Sequence, residues 1–191
     1  KRVPSVDAYY RRANAYLNLR AWDNAIADYG AALQIKPDLV DALINRGNAY
    51  YSQGDNDRAL ADFDQAIKVK SDNANAFYYR AIILLAKRDY DRAQNDFDSA
   101  IRLKTDFPQA YRNRAVAKYF KRDLDGALVD LDQAIAQKND YADAYYTRGV
   151  ILRVKGERDR AISDLRRVLE LTTDPSLREQ TEEQLRALGA Q

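Results

Sequence analysis

Val40–Asn73 reads VDALINRGNAYYSQGDNDRALADFDQAIKVKSDN, and this stretch decides the fold. Shifting by 34 residues in either direction lands on the same pattern. Five contiguous copies, 6–39, 40–73, 74–107, 108–141 and 142–175, therefore tile the chain without an insertion. With the positions inside a copy numbered 1 to 34, position 3 is Ala in every copy (Ala8, Ala42, Ala76, Ala110, Ala144), and so is position 20 (Ala25, Ala59, Ala93, Ala127, Ala161). Position 4 is large and apolar throughout. Position 24 carries Tyr29, Phe63, Phe97, Leu131 and Leu165.

Apolar residues at positions 3, 4, 8 and 11 share one helical face, and those at 20, 24, 27 and 28 share another. Each copy is thus predicted to be a pair of amphipathic helices with a break near positions 15–17. Gly54 and Gly156 mark that break, and Arg20, Arg88 and Arg122 fill it in the other copies. Asp recurs at position 33 after a Lys at position 31 in four copies, a pattern suited to a helix C-terminus followed by the next N-cap. Small residues at 8, 20 and 27 let the two helices approach closely.

This pattern (copy two supplies Leu43, Gly47, Tyr50, Ala59, Phe63 and Ala66, and copy one adds Pro37 at position 32) resembles the tetratricopeptide repeat family over about nine-tenths of the chain. Lys118 in place of an aromatic at position 11 of copy four, and Val168 at position 27 of copy five, depart from it. The Arg46-Gly47 and Asp62-Phe63 variants give the resemblance a bacterial-type look. The resemblance implies an all-α fold, a right-handed superhelical solenoid of stacked antiparallel helix pairs forming one domain over residues 1–191. After the fifth copy, Asp174-Pro175 is an N-cap followed by a first-turn proline. Leu177, Leu185 and Leu188 then make a stripe on a capping helix over 175–189, which is expected to cover the last hairpin.

Composition narrows the function. The 31 basic and 29 acidic residues leave a net charge of +2, so bulk charge does not mark a polyanion-binding surface. Cysteine and histidine are both absent, which removes thiolate zinc sites and the usual general base. No phosphate loop, nucleophile elbow or metal cluster appears, so neither catalysis, a cofactor nor a metal is expected. No apolar run approaches the length of a membrane span. The chain opens on Lys1-Arg2 and holds no Met, as a processed or trimmed protein would; any signal peptide would lie outside the sequence, and the compartment stays open between cytoplasm and bacterial periplasm.

An Arg at position 7 recurs with an Asp sixteen residues later: Arg12/Asp28, Arg46/Asp62, Arg80/Asp96, Arg114/Asp130 and Arg148/Asp164. A partly buried guanidinium needs an anion, and a carboxylate accepts it bidentately, so these are expected to pair, within one copy or between neighbours. An anion-binding rail of five arginines would not need the matching Asp.

In the family the first helices line a concave groove, which implies that positions 2, 5, 6, 9, 12 and 13 meet a partner. Copies one and two place Tyr10, Asn14, Ile44, Asn45, Asn48 and Tyr51 there. Copy three places Tyr78, Tyr79 and Ile82, copy four Arg112, Asn113, Val116, Tyr119 and Phe120, and copy five Tyr146, Val150, Arg153 and Val154. Six of the fourteen tyrosines fall on these positions, giving broad contact area with a polar tip; the alternative is that some pack between neighbouring copies. The amides of copies one and two suit the backbone of an extended peptide, and the apolar residues of copies three to five suit an apolar or helical ligand. The family's chaperone-carboxylate clamp is excluded: Asn14 and Asn45 match it, but Tyr10, Asn75 and Tyr79 stand where it needs cations. The expected function is a non-catalytic scaffold holding a peptide or helix of a protein partner in the groove. Self-association through the same groove is the first alternative, and RNA binding the second.

Overall fold

The computed structural model describes residues 5–190. Among them are eleven helices and no strand: α1 (Val6–Asn18), α2 (Trp22–Ile35), α3 (Val40–Ser52), α4 (Asn56–Val69), α5 (Ala74–Ala86), α6 (Tyr90–Leu103), α7 (Pro108–Phe120), α8 (Leu124–Gln137), α9 (Ala142–Lys155), α10 (Arg158–Leu171) and α11 (Pro175–Ala187). Helices of 13 or 14 residues are marginal alone in water, so each depends on the apolar face it buries. The period of the sequence is the period of the structure, one helix pair per copy and a capping helix after the fifth.

The chain divides into two compact units, Lys1–Leu103 and Lys104–Gln191. In the first, α1 packs on α2, α3 on α4 and α5 on α6. There α2 lies against α3 and α4 against α5, while α1, α3 and α5 stand side by side. In the second, α7 packs on α8 and α9 on α10; α8 lies against α9, α7 stands beside α9, and α11 lies against α10.

The core is the set of positions that repeat. All five alanines at position 20 and all five large residues at position 24 are fully buried. Gly47 shows why position 8 must be small: a Cβ there would stand 2.8 Å from the buried ring of Phe63. Between the helices of a pair the backbone turns through the left-handed region, with φ of 81° at Gly54 and 82° at Gly156. Arg20, Arg88 and Arg122 adopt it too, at 57°, 63° and 68°, a conformation that costs a side-chain-bearing residue about 1–2 kcal/mol.

Each Arg/Asp pair closes within its own copy. Arg46 Nε and Nη2 donate to Asp62 at 2.8 and 2.6 Å, and the other four pairs repeat this fork at 2.5–2.8 Å. The carboxylates are buried, and they hold the guanidiniums of Arg46, Arg80 and Arg148 above their ordinary pKa chiefly through these hydrogen bonds. The arginine also lies over a ring: Tyr9, Phe77, Tyr111 and Tyr145 at position 4 receive Arg12, Arg80, Arg114 and Arg148, at 5.4–5.7 Å from the ring centre. In copy two, where position 4 is Leu43, Arg46 lies over Tyr50 instead. Lys118, the departure at position 11, gives Asp130 a second cation at 2.9 Å.

Bonds in register also join neighbouring copies. Arg80 Nη1 reaches Asp64 at 2.7 Å, and Arg148 Nη1 reaches Asp132 at 2.7 Å. Lys87 to Asp57 and Lys155 to Asp125, each at 2.7 Å, tie the end of one first helix to the start of the preceding second helix.

One expectation about the caps needs correction. The Asp at position 33 caps only α11, where Asp174 accepts from Ser176 N–H at 3.0 Å. At α3, α5, α7 and α9 the N-cap is the following residue (Leu39, Asn73, Phe107, Tyr141), because those helices begin one position later in the repeat. The acidic caps that do recur precede the second helices: Asp55, Asp89 and Asp123 accept from the N–H three residues on. Ser5 caps α1 as expected. Leu185 is buried and Leu188 packs on the second unit's core, so α11 covers the last hairpin.

Two measurements test this packing. Among the described residues Arg46 has no second carboxylate, since position 25 of the preceding copy is Gly30, so Arg46/Asp62 is a clean pair for a double-mutant cycle. Asp62→Ala is expected to cost about 3 kcal/mol in urea unfolding, and more than Arg46→Met/Asp62→Ala together; single effects that simply add would rule out the pairing. Gly30→Ala, with only the Arg46 guanidinium 3.8 Å away, is expected to stabilise by about 0.5–1 kcal/mol. Gly47→Ala gains the same propensity but overpacks Phe63, so its melting temperature is expected to fall instead.

Candidate functional site

In the first unit the predicted face belongs to α1, α3 and α5. Two of its amides, Asn14 and Asn45, are already engaged with each other. Tyr29, fully buried at position 24, donates its hydroxyl to Asn14 Oδ1 at 2.5 Å. Asn45 Nδ2 donates to the same oxygen at 3.1 Å and lies 3.5 Å from the Tyr10 hydroxyl. Burial pushes the Tyr29 phenol up to about 12, because its charged form would lose water with no cation to replace it. Asn14 and Asn45 thus bridge copies one and two. Ile44, expected on the face, is 6% exposed and belongs to the core.

The rings of copy three serve packing in the same way. Tyr79 stacks on Phe63 of the preceding copy at 5.8 Å, Tyr78 meets Tyr79 edge-on at 5.3 Å, and Tyr78 leans on Phe97 at 6.1 Å. Tyr10 likewise leans on Tyr29 at 6.0 Å. Of the predicted residues in the first unit, Tyr51 is 39% exposed, Ile44 is buried, and Tyr10, Asn14, Asn45, Asn48, Tyr78, Tyr79 and Ile82 are half-buried.

The second unit gathers its predicted residues around a hollow. Arg112, Val116, Tyr119 and Phe120 of α7, Tyr146, Thr147, Val150 and Ile151 of α9, and Gln184 of α11 enclose about 210 Å³. Six of them, Arg112, Val116, Tyr119, Phe120, Tyr146 and Val150, were expected on this face, and Thr147 stands at its position 6; Ile151 and Gln184 were not expected. Their presence follows from register. Gln184 lies 34 residues beyond Val150, as Val150 lies 34 beyond Val116, so the capping helix continues the row of position 9. Phe120 in this lining is 51% exposed and meets Tyr119 edge-on at 5.3 Å, and Val154, also on α9, is 43% exposed.

Polar groups frame the hollow. Arg112 Nε donates to Thr147 Oγ1 at 3.2 Å and Nη1 to Asn113 Oδ1 at 2.9 Å, tying α7 to α9 through neutral acceptors. Thr147 passes its own proton to the Asp143 carbonyl at 2.7 Å. The Tyr146 phenol is raised first by burial and then by the Glu183 carboxylate, with Arg153 opposing. Arg153 itself is exposed at the end of α9. Such a surface can hold an apolar side chain and orient it by hydrogen bonds. Among the described residues no cluster of His, Cys, Asp or Glu is placed to hold a metal, and no helix is long and apolar enough to cross a membrane.

Known proteins carry the same architecture. The structure superposes on YrrB, described as a TPR protein with an unusual peptide-binding site, with a TM-score of 0.74 at 23% identity over 92% of this chain and 91% of that one. MamA residues 41-end from Desulfovibrio magneticus match with a TM-score of 0.80 at 18% identity over 87% and 94% of the two chains. TTC0263, a thermophilic TPR protein from Thermus thermophilus, gives 0.77 at 17% identity over 95% and 99%. None of the curated proteins matches the sequence. The family pattern "TPR repeat" matches residues 21–54 and 47–87, and the pattern "Tetratricopeptide repeat" matches 80–140 and 112–176. With its helix pairs, its 34-residue period and these matches over most of its length, the chain belongs to the tetratricopeptide repeat family.

Proposed function

We propose that this protein-interaction scaffold works without catalysis and holds a peptide or helix of a partner protein on the face made by its first helices. The observation that carries this reading is the hollow between α7, α9 and α11. Its apolar walls include Val116 and Val150, half-buried residues outside the repeat's own core, and Tyr119, which also packs on that core; Phe120 in the same lining is exposed. Apolar surface of this kind, framed by polar groups, is the usual form of a recognition site. YrrB, with the same fold, is described as having a peptide-binding site, which is consistent with this use of the scaffold.

Selecting a displayed random-peptide library against the intact chain tests the proposal. Selected peptides are expected to lose about tenfold or more in affinity on Val116→Gln/Val150→Gln, the loss of a buried apolar anchor. They are expected to be indifferent to Val129→Gln, an exposed change on α8. Affinity unchanged by the groove pair would overturn the reading. A chain that sediments as a dimer and becomes a monomer in the same double variant would assign the face to self-association instead.

A further inference from the structure

Resting on that reading, we infer that the C-terminal helix is part of the binding site: the hollow between α7, α9 and α11 is a pocket for one aromatic side chain bearing a ring N–H or O–H, presented by a partner segment with a carboxylate beside it. Three independent observations specify this occupant. The first is size. A volume of about 210 Å³ lies below the roughly 300–1,000 Å³ typical of small-molecule sites, so it suits a single side chain rather than a cofactor. The walls pair aliphatic Val116, Val150 and Ile151 with the rings of Tyr119, Phe120 and Tyr146, which favour an aromatic guest through edge and offset contacts.

The second observation is a missing donor. Gln184 Oε1 is buried and finds no hydrogen-bond partner in the protein. A buried acceptor without a donor is uncommon in a folded chain and disfavours a purely hydrocarbon guest at that wall. Gln184 lines the hollow, so a small turn of its side chain toward a ring N–H or O–H reaching in supplies the missing bond. Gln184 is not needed to make α11 a cap, since Leu185 and Leu188 cover the hairpin.

The third is charge. The arginines at position 7 each hold a carboxylate in a fork, but Arg112 donates only to Thr147 and Asn113, and no carboxylate among the described residues lies within ion-pair distance of it. Arg153, on the same helix face as Val150, is likewise without an ion pair among the described residues. Glu183 and Arg153 act on the Tyr146 phenol in opposite senses. Of the two arginines, Arg112 lines the hollow, and its complement is an anion on the guest or next to it.

Three small probes separate these terms: N-acetyl-tryptophan has the indole N–H and a carboxylate, N-acetyl-tryptophanamide lacks the carboxylate, and N-acetyl-naphthylalanine keeps the carboxylate but lacks the ring N–H. In amide-detected NMR titrations, N-acetyl-tryptophan is expected to saturate with shifts gathered at Val116, Val150 and Gln184, and each of the others to bind about three- to tenfold more weakly. Gln184→Leu is expected to abolish or reverse the preference for indole over naphthalene. Arg112→Gln is expected to abolish the preference for acid over amide. Shifts that scatter over the surface, or preferences that survive both substitutions, would overturn the pocket. Should the probes fail while selected peptides still depend on Val116 and Val150, the pocket inference falls and the scaffold reading stands; should the peptides also be indifferent, both fall.

Discussion

A carboxylate buried on the second helix of each pair, gripped by a guanidinium from the first, is the constraint around which the repeat is built. Taking Asp62 or Asp130 out of water is unfavourable unless a matching cation arrives in the right geometry. The fork therefore admits only one sliding register of the two helices, a gain in specificity more than in stability. Everything nearby is consistent with that register. In four copies the ring at position 4 lies over the arginine, and small residues at positions 8, 20 and 27 let the backbones come close enough for the fork to close. Copy four adds a second cation from Lys118, and Asp130 is the most buried of the five carboxylates.

The period and the pairing were legible in the sequence because both repeat, and repetition averages away local ambiguity. What was not legible depends on single residues. Asp at position 33 has the chemistry of an N-cap, but a cap acts only on the residue directly before the helix, and four helices begin one position too late for it. Only α11, whose first turn starts at Pro175, brings Asp174 into place.

The amides of copies one and two illustrate a different limit. Asn14 and Asn45 stand on the expected face, yet their oxygen and nitrogen are committed to Tyr29 and to each other. The cause is visible in hindsight at position 24. Tyr29 alone among the five residues there carries a hydroxyl, and a buried hydroxyl needs an acceptor, which Phe63, Phe97, Leu131 and Leu165 do not. Gln184 escaped notice for the opposite reason. The capping helix breaks the repeat at positions 7 and 8, where Glu182 and Glu183 stand, so its continued phase at position 9 was masked by its changed chemistry.

The bonds that join successive copies are of two chemical kinds. Copies two and three are joined by Arg80–Asp64 and Lys87–Asp57, and copies four and five by Arg148–Asp132 and Lys155–Asp125, all ion pairs with a solvent-exposed carboxylate. Between copies one and two, Gly30 removes the carboxylate at position 25 and Gln53 replaces the lysine, leaving Asn45 on Asn14 and Gln53 on Asp23. Salt screens pairs of exposed charges more than bonds in which at least one partner is a neutral amide. In a stack whose stability is a sum of nearest-neighbour terms, rising ionic strength loosens the charged joints while the joint after the first hairpin keeps more of its strength. The order in which the hairpins detach, and so which segment exchanges its amide protons first, is thus set in part by the salt around the protein.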